Sequence, residues 1–410
     1  MVAYVALVLF FLLEYIRPTS YIPALIPLHL NMIVPLIAVA ASTFSRDAKA
    51  AAKGADFNLA LLAAMIALMV VSRFTAFMGP PAQALLESVV GYAAIAWVIT
   101  RAVDSERRLK GIFGVLVLVH VVIMFLSPAM LIDPSSRTHT ITSGSFLGDG
   151  NDFALSLVIA LPLCLFLIVK SPSLLKRVLL VAGLGALLLG IIASQSRGAT
   201  LALGVVGLYY WFKSGRSVAM AAIVGTALIG VMALAPDSYF SRMNTIANPT
   251  DGSAQGRINS WKLAWSEAMN NPLLGVGAGN TPYMARQNPH SIYFMALGEL
   301  GFPGLFVLLG LIVGNLSANR RLLKQCHGPD RAAQRQLLAA LSASMIAFAT
   351  AGAFLSATYY PHAYILSGLL AAGRRVVRDW APAATAATPA AVPQEITYHW
   401  ALAPGPRRIQ

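Results

Sequence analysis

The chain is a succession of long, continuous apolar runs, broken by short segments that carry most of its charge. A helix needs roughly 20 apolar residues to cross the hydrocarbon core of a bilayer. Backbone polar groups inside that core must be satisfied within the segment or its neighbours, which leaves only helices and closed barrels. Barrel strands alternate apolar and polar residues, whereas stretches such as 157–169 and 178–193 are apolar throughout. The expected fold class is therefore an all-α polytopic membrane protein. Composition agrees: 57% of residues are hydrophobic and 11% charged, against roughly 25% charged in soluble domains. A soluble globular enzyme, a disordered chain and a fibrous one are all excluded.

Twelve apolar segments are read, at about 2–14, 24–44, 58–78, 82–100, 110–132, 153–170, 175–193, 198–213, 217–235, 291–316, 334–357 and 359–373. The charge distribution tests that count. With the N-terminus inside and the spans alternating, 22 of the 30 Lys and Arg residues fall on the inner side, as the positive-inside bias requires. The C-terminal Arg374, Arg375 and Arg378 are counted there as part of the tail. Both termini are expected to be cytoplasmic. The formal net charge of +14 is thus explained by membrane topology, with no nucleic acid implied. No cleavable leader is expected, because the first apolar run passes directly into Glu14 and Arg17. Cys164 and Cys326 fall in different regions, and no structural disulfide is expected between them.

Residues 1–380 read as one transmembrane helical domain, which includes a long outer loop at 236–290. The Ala/Pro/Thr-rich stretch 381–410 reads as a disordered tail. Within the loop, residues 256–270 suit an amphipathic helix. Trp261 and Trp265, four apart, share one face of it, as in an element that lies on a membrane interface or caps the bundle. Asn271-Pro272 is expected to end it. The Gly275/Gly277/Gly279 run that follows lacks the strand–turn–helix setting of a dinucleotide fingerprint. It reads better as a tight loop that lets backbone approach a ligand or a neighbouring helix.

Four places hold polar residues beyond what topology explains. Asp149-Gly150-Asn151-Asp152 resembles a fragment of a calcium loop but lacks the other ligands. A helix cap is favoured there, with Asn151 or Asp152 accepting backbone N–H groups. Arg197 sits in Ser194-Gln195-Ser196-Arg197-Gly198, between two apolar runs at the outer boundary. It either snorkels to water or pairs with an anion, and the planar fork of Arg suits phosphate. His290, in Gln287-Asn288-Pro289-His290-Ser291, is a surface histidine or a general base, and the two readings balance. Glu299, nine residues on, faces away on a regular helix and is a poor partner for it. His362 opens the last run and reads as a packed residue more than a site residue.

Two of these patterns carry a family resemblance. Arg197-Gly198-Ala199-Thr200-Leu201 looks like an Arg-x-x-x-Leu motif. His290-Ser291, nine residues, then Gly301-Phe302-Pro303-Gly304 looks like a His motif with a Gly-x-x-Gly tail. With the preceding Pro272-Leu273-Leu274-Gly275-Val276-Gly277 and the long loop, residues 140–370 resemble the O-antigen ligase family and its wider superfamily of polymerases and protein O-oligosaccharyltransferases. The resemblance implies a transferase in the bacterial inner membrane, with a periplasm-facing site. The donor would be a glycan on undecaprenyl diphosphate and the acceptor lipid A-core, with membrane lipids as surroundings and no nucleic acid. Inversion without a metal or other cofactor is implied. His290, Arg197 and Arg257 become the expected catalytic residues, and Arg286, Ser291, Gln195 and His362 candidates for binding diphosphate or glycan. The different-class alternative is a polyprenyl-glycan transporter. It is disfavoured because the notable polar residues gather at one face and no internal repeat is evident.

Overall fold

The computed structural model describes residues 1–44, 56–127, 146–215, 217–218, 235, 239–241, 243–244, 252–285 and 288–380, and among these there is no strand. The principal helices are α1 (Val2–Ile16), α2 (Leu30–Phe44), α3 (Phe57–Ser72), α4 (Gly79–Ala102), α5 (Glu106–Leu126), α6 (Gly150–Lys170), α7 (Leu174–Ser194), α8 (Arg197–Lys213), α9 (Gly252–Asn270), the short α10 (Thr281–Ala285), α11 (Ile292–Leu323), α12 (Ala332–Gly352) and α13 (Pro361–Asp379). The starts follow local rules. Side chains of Asp56, Ser105, Asp149 and Ser196 accept backbone N–H groups of the helices they precede. Pro361 opens α13, where its missing N–H costs nothing.

Eleven of the twelve apolar runs carry helix; most of the run 217–235 lies outside the described residues. Seven helical stretches among the described residues are long and apolar enough to cross a membrane: Val2–Ser20, Pro23–Phe44, Gly79–Ala102, Glu106–Leu126, Gly150–Lys170, Leu174–Ser194 and Ile292–Leu323. This is the pattern of a multi-pass membrane protein. α3 and α8 are apolar but shorter, whereas α12 and α13 have the length and carry more polar residues. The packing gives the reason for the last two. α12 lies against α6, α8 and α13, and α13 against α4 and α12. Nearly all of α13 from Pro361 to Val377 is buried. A helix wrapped by other helices need not be apolar on every face.

The charge pattern is reproduced in space. Tyr4 near the start of α1 donates to the carbonyl of Arg108 at the start of α5. The Arg375 guanidinium, near the end of α13, donates to the carbonyls of Thr100 and Val103 at the end of α4. Arg374 pairs with Asp56 at the start of α3 (2.9 Å) and donates to Asn315 far along α11 (2.8 Å). These basic segments therefore share one end of the bundle. The starts of α6, α8 and α11 lie at the other end. Arg374, Arg375 and Arg378 belong to α13 and not to a tail, since the helix continues to Asp379. Their charge hid this extension, because the apolar pattern stops at 373. The stretch 381–410 lies outside the described residues. Cys164 and Cys326 are both free and buried.

Candidate active site

The chain reverses between α7 and α8 within a few residues. Gln195 takes a left-handed conformation (φ 51°) and closes α7, donating its N–H to Ile192. The Ser194 hydroxyl donates to Ile191 and accepts from the N–H of Ser196, and the Ser196 hydroxyl accepts from Ala199. The serines around Arg197 are thus spent on satisfying two helix ends. The turn makes Arg197 the first residue of α8. Behind it, Gly198 lies close to α12; a Cβ there would come within 3.3 Å of the Ala351 carbonyl.

α9 brings the second arginine. Its indole side packs on the start of α11, so it caps the bundle. Trp261 stacks on Phe294 with centroids 5.1 Å apart, and Trp265 meets Phe302 edge-on at 6.1 Å. The helix ends at Asn270, before Pro272. The glycine run then folds against a break in α11. Gly301 has φ 66° and ψ −167°, a conformation essentially reserved for glycine. The break releases the Gly298 carbonyl, and Pro303, lacking an N–H, releases that of Glu299. Val276 and Gly277 donate to these two carbonyls at 3.0 and 2.9 Å. The N–H of Phe302, freed in turn, donates to Pro272. Glu299 is fully buried, and its two oxygens accept the N–H groups of Gly279 (2.7 Å) and Thr281 (3.1 Å). The glycines therefore serve close approach to a neighbouring helix, and Glu299 organises their loop by accepting from Gly279 and Thr281.

His290 lies between this assembly and the α12–α13 connection. Its backbone is left-handed (φ 47°), and its N–H donates to Ser356 Oγ at 2.9 Å. Thr358 of the same connection donates to the Ile292 carbonyl. Trp261 Nε1 donates to the carbonyl of Pro289 at 2.7 Å. The His290 imidazole is partly buried. Burial and the nearby Arg257 guanidinium hold it below the usual histidine range, and Asp149 opposes them. Two of the four non-glycine residues with positive φ among those described, Gln195 and His290, thus sit here, where held strain is commonest.

Arg197 and Arg257, from different helices, line one pocket with Asn151, Ser196, Gly198, Phe354 and Leu355. His290 is not part of that lining; it lies nearby, its backbone held by Ser356, the residue after Leu355, and its ring close enough to Arg257 and Asp149 to feel both charges. Asp149 does the capping of α6, accepting from Asn151 and Asp152 at 2.7 and 2.9 Å. This corrects the expectation that Asn151 or Asp152 would be the cap. The acceptor must lie outside the helix and reach back over its first N–H groups. The Asp152 carboxylate instead accepts from Tyr360.

Ser291 is buried and precedes α11 without a side-chain capping bond. His362 is not brought to the arginine pocket. It is buried, with ring centroids 5.2 Å from Phe146 and 6.5 Å from Tyr15, and lines a separate cavity with His120 and Ser156. Arg286 lies outside the described residues. Phe354, Leu355 and Ser356 join the site without a motif to announce them, and Asn151, which reads from sequence as a helix cap, joins it as a lining residue. Chemically, the pocket offers two guanidiniums suited to an oxyanion, beside an imidazole biased toward its neutral, proton-accepting form.

Residues 182–309 match the family model described as O-antigen ligase, and the match supports membership of that family. The matched span runs from α7 into α11 and contains Gln195, Arg197, Arg257, His290 and the Gly301–Gly304 break. No curated protein matches the chain.

Proposed function

We propose that this protein is an O-antigen ligase: a metal-independent, inverting glycosyltransferase that moves a glycan from undecaprenyl diphosphate to a sugar hydroxyl of lipid A-core. The site faces the periplasm of a bacterial inner membrane in this reading, with both termini cytoplasmic. One observation carries it: Arg197 and Arg257 line a single pocket, with His290 near enough to feel the Arg257 charge.

In the proposed step, His290 accepts the proton of the acceptor hydroxyl as its oxygen attacks the anomeric carbon from the face opposite the diphosphate. The bond between that carbon and the diphosphate oxygen breaks, and undecaprenyl diphosphate leaves with the electron pair. Arg197 and Arg257 hold the diphosphate and neutralise the charge that grows on it. The lowered basicity of His290 keeps it neutral, and so able to accept, at ordinary pH. Ser291, Gln195 and Arg286 are secondary contacts in the same reading; for His362 the separate cavity supports a packing role.

The test is transfer by the purified full chain in nanodiscs, with undecaprenyl-diphosphate-linked O-antigen and lipid A-core in the presence of EDTA. Wild type should form product, and His290→Ala and Arg197→Ala should fall by about a hundredfold or more. If wild type only lengthens the lipid-linked glycan, the protein is a polymerase. If neither substrate is consumed, a protein acceptor or transport replaces the ligase reading.

A further inference from the structure

The Asp149–Asp152 segment has one side chain that capping does not use. Asp149 supplies the cap of α6, and Asp152 is engaged by Tyr360. Asn151 gives only its backbone N–H to Asp149, and its carboxamide makes no hydrogen bond among the described residues. Asn151 is partly buried and lines the pocket shared by Arg197 and Arg257. The other polar neutral residue lining it, Ser196, has its hydroxyl occupied by the N–H of Ala199.

We propose that Asn151 is a third donor to the bound anion, binding a diphosphate oxygen through Nδ2. The proposal rests on reading the pocket as the diphosphate site. The chemistry favours the donor end of the amide. A group lodged between two guanidiniums is an anion, and a diphosphate presents more oxygen acceptors than two planar forks saturate. A neutral carboxamide adds a directional N–H without adding charge. It fixes how the diphosphate lies, and hence which way the anomeric carbon points relative to His290.

The experiment measures binding of inorganic pyrophosphate, which carries no sugar, by the full chain in nanodiscs. Wild type is compared with Asn151→Ala, Asn151→Asp and Arg197→Ala. All four keep Asp149, so the cap of α6 is undisturbed; thermal unfolding confirms equal folding. Asn151→Ala should weaken binding about tenfold. Asn151→Asp has nearly the same shape but replaces the donor with a negative charge, and should weaken it further, toward a hundredfold. In the transfer assay both should raise the KM for the lipid-linked donor more than they lower kcat. Wild-type binding by Asn151→Ala overturns the proposal. So does Asn151→Asp binding as well as Asn151→Ala, since the amide would then not face the anion. If Arg197→Ala also binds like wild type, the diphosphate reading of the pocket fails with it. If Arg197→Ala alone loses binding, only the role of Asn151 falls.

Discussion

The indole N–H of Trp261 donates to the carbonyl of Pro289 at 2.7 Å. One bond thus ties the helix that carries Arg257 to the residue beside His290. The same ring lies flat on Phe294, at an interplanar angle of 8°. In the proposed mechanism this contact between two segments far apart in sequence helps position His290 against the Arg257 guanidinium.

Trp261→Phe keeps the stacked ring and deletes the N–H. The loss of one net hydrogen bond is about 1 kcal/mol, or about fivefold in rate if it acts on the transition state. Glycan transfer should fall by about that factor with little change in unfolding temperature. Trp261→Ala, which also loses the stacking, should fall further. Full activity in Trp261→Ala would remove the tie from the mechanism.

The pH profile of transfer reports on His290. A base works when unprotonated, so the rate should rise with pH and level off once His290 is neutral. Burial and Arg257 lower its basicity, which places the acid limb below the usual histidine value of about 6.5. Arg257→Gln removes a lowering charge and should move the limb to higher pH, whatever it does to the maximum rate. Asp149→Asn removes a raising charge, keeps a good capping residue, and should move the limb lower. Limbs that shift in the opposite directions, or not at all, would mean that His290 is not the titrating base.

Gly301→Ala should fail for backbone reasons. Its φ of 66° with ψ −167° is strained for any Cβ, and that Cβ would run into the carbonyl of Pro272. The cost is about 1–3 kcal/mol for the conformation alone. Gly275→Ala meets the Gly298 carbonyl at 2.5 Å and should behave alike. Gly185→Ala meets nothing within 4 Å on α7 and should be neutral or stabilising. Thermal unfolding in detergent ranks the three.

The helices were legible because an apolar run long enough for a membrane has few other fates; 157–169 and 178–193 fall inside α6 and α7. The aromatic face of α9 was legible from the spacing of Trp261 and Trp265, and its seat on Phe294 and Phe302 was not. The end of α13 and the start of α6 differ from the sequence expectation for related reasons. Charge at Arg374 reads as solvent, and three polar residues within four positions, Asp149, Asn151 and Asp152, give no sign of which one caps. Asn151, Leu355 and Ser356 reach the site from α6 and the α12–α13 connection, by long-range packing that periodicity does not encode. Arg197 and His290 stood out because each is a polar residue that membrane topology leaves unexplained.

The buried charge at the far end should matter for stability and not for chemistry. Arg374 is 2% exposed and holds Asp56 at 2.9 Å, with further bonds to Asn315 (2.8 Å) and Asn319 (3.3 Å) and its guanidinium 5.3 Å from the Phe57 ring centroid. It joins α13 to the starts of α3 and the far half of α11. Removing one partner of a fully buried ion pair costs roughly 3–5 kcal/mol, chiefly because the other charge is stranded. Asp56 is 21% exposed and retains some water, so Arg374→Met should cost toward or below the lower end of that range. Asp56→Asn with Arg374→Met strands no charge, and asparagine still caps α3. The double variant should therefore be more stable than Arg374→Met alone, with the acid limb of the transfer profile unmoved. Equal stability of Arg374→Met and wild type would show that the pair does not hold these helices together. A double variant less stable than Arg374→Met would show that the two charges act separately.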